Sequence, residues 1–299
     1  MAVTSEPNLV TLKAGELSLG LAPEIGGSIA HFRWRGIDLM RPLSPGAAAR
    51  LDVLAVASFP MVPYANRIDG NRFAFAGRDY VVQTNNSPER FNVHGTGWKS
   101  AWTLAAQDGS IAELVLDHHG VDDPYDYRAT QIFRLAPEGL VLETTIENTG
   151  PHAMPFGFGH HPWFEREEGV TLAFTASAFW LEAPDGVAGD RISLPPELDF
   201  AAGAPLPPGW RNNNYGGWDG IAEISWPKRG AGLRMAADPI FGNLMLYADP
   251  TKDFFCLEPQ TNVPCAFNKA ERGERDLGII VLEPGDRIGG TICFTPFAV

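Results

Sequence analysis

Four short segments concentrate side chains that can move protons or grip hydroxyls inside otherwise apolar stretches. They are Pro63-Tyr64-Ala65-Asn66-Arg67-Ile68, Asn92-Val93-His94-Gly95, Gly157-Phe158-Gly159-His160-His161-Pro162-Trp163-Phe164 and Cys256-Leu257-Glu258-Pro259-Gln260-Thr261. Glu258 closes the apolar run Phe254-Phe255-Cys256-Leu257, and a carboxylate at the end of a buried strand is costly to ionise without partners. Pro259 has no N–H to give a ladder and is expected to stop that strand. His161 follows two nearby glycines and precedes Pro162-Trp163-Phe164. In an extended chain His160 points to the opposite face, so at most one of the two histidines faces a given site. A histidine and a glutamate so placed form an acid–base pair of unlike type. Each residue also has a plainer reading: Glu258 as a salt-bridged strand end, His161 as a core histidine satisfied by the backbone, Arg67 as a tie between loops, His94 as a turn cap.

Other chemistries fit the residues less well. His94, His160, His161 and Glu258 could be gathered around a metal, but no HxH, HExxH or Cys-rich spacing supports a metal site. The GxSxG elbow of a serine hydrolase is absent, and so are the glycine-rich fingerprints of nucleotide cofactors. A glycosidase needs two carboxylates around one bond, and only Glu258 is strongly nominated. Arg, His, Asn and Gln supply directional hydrogen bonds to hydroxyls. Trp98, Trp163, Phe164 and Trp218 offer flat faces for the C–H side of a sugar ring, although core packing is the plainer role of each.

The elements that must position these groups read as strands. Residues 140–147 alternate Leu, Val, Leu, Glu, Thr, Thr, Ile, Glu, the period of a strand with two unlike faces. Residues 127–135 alternate similarly, and Ala136-Pro137-Glu138-Gly139 joins the two as a hairpin. A second hairpin is expected over residues 72–82 around Ala76-Gly77-Arg78. Further strands are expected at 16–22, 28–34, 101–106, 111–116, 170–174, 233–237, 244–248, 254–258 and 287–297. Helical signals are limited to short turns near 47–53 and 267–272. The Pro-, Gly- and Asn-rich stretch 183–214 is expected to be a long excursion packed on one domain, because it also carries Leu194, Leu198, Phe200 and Trp210. The pattern is all-β, a large sandwich or barrel with few short helices, in one domain spanning 1–299.

Composition bounds the partners. The chain has 299 residues, with 32 glycines and 25 prolines to turn many short strands. Its formal net charge of −13 repels nucleic acid and anionic membranes, so neither is an expected partner. The N-terminal eight residues lack a basic leader pattern, and the most apolar window, 51–65, is broken by Pro60 and Pro63. Three cysteines without a CxxC pair fit reduced thiols and a cytoplasmic location.

Together the four segments resemble the aldose 1-epimerase (galactose mutarotase) family over nearly the whole chain. The resemblance runs from the Asn-Arg-Ile segment through Asn-x-His-Gly and Gly-x-Gly-x-His-Pro-aromatic-Phe to Glu-Pro-Gln and Pro-x-Ala-Phe-Asn. It implies a single antiparallel β-supersandwich, a cleft on one sheet, a small-molecule sugar substrate and no cofactor or metal, in a monomer or homodimer. Position by position it implies His161 as catalytic acid and Glu258 as catalytic base. It implies Arg67 and His94 as the residues gripping substrate, with Asn66, Trp163 and Gln260 beside them. The family's substrate-binding aspartate falls where this chain reads Arg211-Asn212-Asn213-Asn214-Tyr215. Asn212 takes that place, or Asp219 if the register differs. An amide both donates and accepts where a carboxylate only accepts. The family's Pro-Asp-Ala is Pro264-Cys265-Ala266. Two other readings stand beside mutarotation: a hexose-6-phosphate epimerase, for which Arg41, Arg72 and Arg90 are candidate phosphate ligands, and a non-catalytic sugar-binding domain.

Overall fold

A computed structural model describes residues 8–87, 90–121, 123–184 and 186–299; most of the N-terminal stretch read for a leader lies outside these. Among the described residues the strands form two large antiparallel sheets of eleven and nine strands, with small two-stranded ribbons at the periphery. The alternation at 140–147 is realised in Gly139–Asn148, whose residues are buried and half-buried in strict turn. Its hairpin partner is Asp126–Ala136. The second expected hairpin forms from Arg72–Phe75 and Arg78–Val81.

The helices are short. Ala266–Glu271 is close to expectation, while the earlier one forms at Pro45–Ala48, capped by Ser44, and not at 47–53. Proline is favoured in a first helical turn, where its missing N–H costs nothing. The stretch 183–214 contains strands Ala188–Ser193 and the start of Arg211–Gly216, both within the larger sheet.

Five strands at the middle of the larger sheet matter for function: β1 (Ser58–Met61), β2 (Gly159–Glu165), β3 (Arg211–Gly216), β4 (Asn243–Ala248) and β5 (Phe254–Gln260). Their order across the sheet is β1-β2-β5-β4-β3. One face packs on the nine-stranded sheet through Phe164, Leu244, Leu246, Phe255 and Leu257, in one core with Phe133, Leu142, Ile146 and Phe294. The other face carries a smaller apolar cluster of Phe59, Met61, Trp163 and Cys256, covered by Ala65 from the segment after β1 and by Trp98 from the turn Gly97–Lys99. Burial on both faces explains why β4 and β5 read as nearly continuous apolar runs.

Pro259 does not stop β5, which continues to Gln260 with Pro259 opposite Leu244. The ladder between β2 and β5 instead lapses between the pairs Gly159–Gln260 and Trp163–Cys256. Pro162 and Pro259 both lie in that interval, where no ladder N–H is required of them. The registers on either side place His161 directly across from Glu258 in the gap.

Candidate active site

Side chains two apart on a strand share a face. His161 and Trp163 on β2, Glu258 on β5, Met245 and Tyr247 on β4, Asn212 on β3 and Phe59 on β1 therefore stand in one field, and all line a cavity of about 170 Å³. That is well under the roughly 300–1,000 Å³ typical of drug-sized ligand sites. Asn66, Arg67, His94 and Trp98 close it from above.

His161 Nε2 lies 3.3 Å from Glu258 Oε1. The imidazole is held between two rings, stacked on Phe59 at 4.6 Å and on Trp163 at 4.9 Å. Behind Trp163 the Arg41 guanidinium sits 4.0 Å from the ring centroid, and behind Phe59 stands Trp98 at 5.1 Å. This column fixes the imidazole plane. Burial pushes His161 down to about 3, opposed by its own backbone and reinforced by Arg41. Burial raises Glu258 to about 8, against a lowering pull from Arg67. Its Oε2 is buried without a hydrogen-bond partner among the described residues. Between those limits the pair holds one proton, whichever of the two atoms carries it.

Asn66 and His94 both adopt left-handed backbone, with φ of 62° and 60°. Such conformations in non-glycine residues persist only where neighbours hold them. Here each holds the other: the His94 N–H donates to the Asn66 carbonyl at 2.9 Å, and the Asn66 N–H donates to His94 Nδ1 at 2.9 Å. Asn262 clamps the same loop, accepting from Ala65 N–H at 3.0 Å and donating to its carbonyl at 2.9 Å. A side chain at Gly95 would put its Cβ 2.7 Å from the Val62 carbonyl, and one at Gly157 would put it 2.0 Å from Asn262 Oδ1.

These contacts decide the His94 tautomer. Nδ1 accepts, so in the neutral ring Nε2 carries the hydrogen and is a donor on the cavity wall. Burial, with His161 and Arg67 nearby, keeps this ring well below its ordinary pKa and so neutral. His94, His161 and Glu258 each offer a ligand atom within 4.8 Å of the others. The lone pair a metal would need on His94 Nε2 is taken up by that hydrogen, so the donor set does not suit an ion.

The remaining expected residues are placed unequally. Asn212 lines the cavity, whereas Asp219 is exposed in a turn where it caps the Ile221 N–H at 3.0 Å. Gln260 is fully buried and does not line the cavity. Its Nε2 donates to Asn214 Oδ1 at 3.0 Å, Asn214 donates to Asn243 at 2.9 Å, and Asn243 donates to the Thr261 carbonyl at 2.6 Å. Gln260 thus belongs to an amide ladder beside the site, because Asn214 and Asn243 lie over the face it shares with Glu258. His160 points to the opposite face, as expected, where its Nε2 meets Thr144 Oγ1 of the second sheet at 2.8 Å. Trp98 and Trp163 reach the cavity; Phe164 and Trp218 are in the main core. Phe59, Met245, Tyr247 and Asn262 were not singled out from sequence.

The candidate phosphate ligands do not converge. Arg41 donates to the Leu54 and Val56 carbonyls at 2.6 and 3.3 Å, Arg72 pairs with Asp79 at 3.4 Å, and Arg90 stacks on Phe91. Among the described residues lining the cavity, Arg67 is the one cation.

A two-sheet sandwich here carries an unlike acid–base pair in an aromatic, amide-rich cavity, an arrangement suited to moving protons on a hydroxylated ligand. Comparison with known proteins gives the family: residues 8–295 match the aldose 1-epimerase family model, and the chain belongs to that family. YphB of Escherichia coli (strain K12), of uncharacterised function, is 36% identical over 287 residues, 93% of this chain and 95% of that protein. A crystal structure of an Escherichia coli K12 protein provisionally described as an aldose 1-epimerase superposes with a TM-score of 0.90 at 32% identity, covering 98% of this chain and 99% of that one. A galactose mutarotase-like protein from Clostridium acetobutylicum gives a TM-score of 0.84 at 17% identity, covering 100% and 98%, a likeness of fold. The architecture is the galactose mutarotase-like β-supersandwich.

Proposed function

We propose that this protein is a mutarotase, interconverting the α and β anomers of a free aldose. The observation that carries the proposal is the 3.3 Å approach of His161 Nε2 to Glu258 Oε1 at the cavity wall. The anomeric hydroxyl and the ring oxygen are both bonded to C1, so the two groups serving them must be neighbours. In the ring-opening step Glu258 takes the proton from the C1 hydroxyl while His161, protonated, gives one to the ring oxygen. The C1–O bond breaks to the aldehyde, the C1–C2 bond rotates, and closure on the other carbonyl face reverses both transfers. The pair begins and ends with one proton; burial favours that proton on Glu258, so the reactive arrangement is reached by its transfer to His161 across the 3.3 Å contact. Positioned acid–base groups each contribute on the order of 10²–10⁴-fold.

Arg67, the His94 Nε2–H and the Asn66 and Asn212 amides supply hydrogen bonds to hydroxyls, and Trp163 supplies an apolar wall. A single lining cation supports a neutral sugar in preference to a phosphorylated one. Unpaired Cys256, Cys265 and Cys293 support a reducing, cytoplasmic setting. Polarimetry on freshly dissolved galactose, glucose, xylose, arabinose and glucose 6-phosphate tests the reading. Acceleration of at least one neutral sugar is expected, with less for the phosphate; no acceleration of any sugar would refute it.

A further inference from the structure

Asn212 lines the cavity, and its surroundings contain an acid. The Asn212 Nδ2 group donates to Glu182 Oε1, and the other oxygen, Glu182 Oε2, accepts from Trp210 Nε1 at 2.7 Å. A carboxylate can only accept. The nitrogen of the Asn212 amide must therefore face Glu182, and the carbonyl oxygen faces away from it. Asn212 also lines the cavity beside Met245 and Tyr247. Trp210 in turn packs edge-on against Tyr247 at 5.5 Å, tying the arrangement to the next strand.

We infer that Glu182 is a specificity-determining positioning residue: by binding the donor end of Asn212 it makes that amide an acceptor toward the sugar, so that Asn212 reads a hydroxyl and disfavours an anionic group set against it. The amide reproduces the hydrogen-bonding sense of a carboxylate while the negative charge stays one residue back. A phosphate or carboxylate group facing Asn212 would meet an acceptor oxygen with a charge behind it, leaving Arg67, which lines the same wall, as the cationic donor it could reach. The inference deepens the mutarotase reading and rests on it for kinetics, but the same contacts govern equilibrium binding.

The test is a charge swap, read by calorimetric binding of D-galactose and by polarimetry. Glu182→Gln releases the Asn212 amide to face either way. Its Kd and KM for galactose are expected to rise about tenfold, with kcat within about threefold of wild type, and binding of galacturonate is expected to improve relative to galactose. Asn212→Asp sets two carboxylates face to face and is expected to weaken binding further, about a hundredfold at pH 8, with recovery on acidification as one of them takes a proton. The double variant Asn212→Asp/Glu182→Gln restores one acceptor and one donor and is expected to return galactose binding to within about threefold of wild type. That rescue is not expected of a merely structural role. Unchanged galactose binding in Glu182→Gln, or an Asn212→Asp defect that the double variant fails to rescue, overturns the inference. If galactose binds and the swap behaves as described while wild type accelerates no anomerisation, the positioning role stands and the mutarotase reading falls.

Discussion

His160 and His161 are neighbours in the chain, both shielded from water and both pushed down to about 3 by burial. They nevertheless occupy different chemistries. His160 turns toward the second sheet and meets Thr144 at 2.8 Å, a closed interaction between two layers. His161 turns to the opposite face, between Phe59 and Trp163, with Glu258 across from it in the gap that Pro162 and Pro259 leave in the ladder. Burial and a shifted pKa do not distinguish the proposed catalyst from the scaffold. The partner does: an alcohol fixes one imidazole, while a carboxylate that shares a proton with the other lets it exchange one.

Replacing each histidine should separate the two roles. His161→Asn is expected to reduce turnover by about 10²–10⁴-fold while leaving sugar binding measurable by calorimetry; a rate near wild type would move catalysis elsewhere. Thr144→Val, which strands His160 Nε2 without a partner, is expected to cost about 1–3 kcal/mol in a denaturant titration, with turnover within a few-fold of wild type. Loss of activity without loss of stability would give His160 a role it is not assigned here.

The protonation difference sharpens the contrast. The proposed catalytic pair is expected to work between about pH 3, below which it holds a second proton, and about pH 8, above which it loses its only one. Arg67 lowers the Glu258 pKa, so Arg67→Met should shift the alkaline limb of kcat upward. For His160 the readout is stability. Its folded pKa lies below the unfolded value, so the unfolded chain binds more protons between about 6.5 and 3. Stability is full above that window and falls on acidification through it; the slope should be shallower in His160→Gln. The smallest effect belongs to Asp219→Asn, which touches an exposed turn and should leave galactose KM unchanged. A raised KM would reopen the choice between Asp219 and Asn212.

Much of this was legible in the sequence because local chemistry carried it. The alternation of Leu140 to Ile146 declared a strand, and the apolar run ending at Glu258 declared most of β5, whereas β1 and β2 were not expected as strands. The Asn-Asn-Asn of β3 was not read as a strand, since asparagine is depleted in sheets and its place there comes from packing against β4. Phe59, Tyr247 and Glu182 were invisible for a related reason. Their proximity to the catalytic pair or to Asn212 depends on strand order, and β1, β2, β4 and β5 come together from positions nearly two hundred residues apart. Pro259 was misread because a proline breaks a ladder on one side only, and β5 keeps its pairing with β4. The resemblance set Gln260 beside Glu258, and β5 does put it on the same face, but no local pattern shows that Asn214 and Asn243 cover it.

The central claim is that Glu258, across from His161, exchanges the proton that opens the sugar ring. The direct measurement is the polarimetric relaxation of freshly dissolved galactose with wild type and Glu258→Gln, alongside calorimetric titration of both. Wild type is expected to accelerate relaxation, and Glu258→Gln to lose most of that acceleration while still binding galactose. Relaxation at the wild-type rate in Glu258→Gln would contradict it.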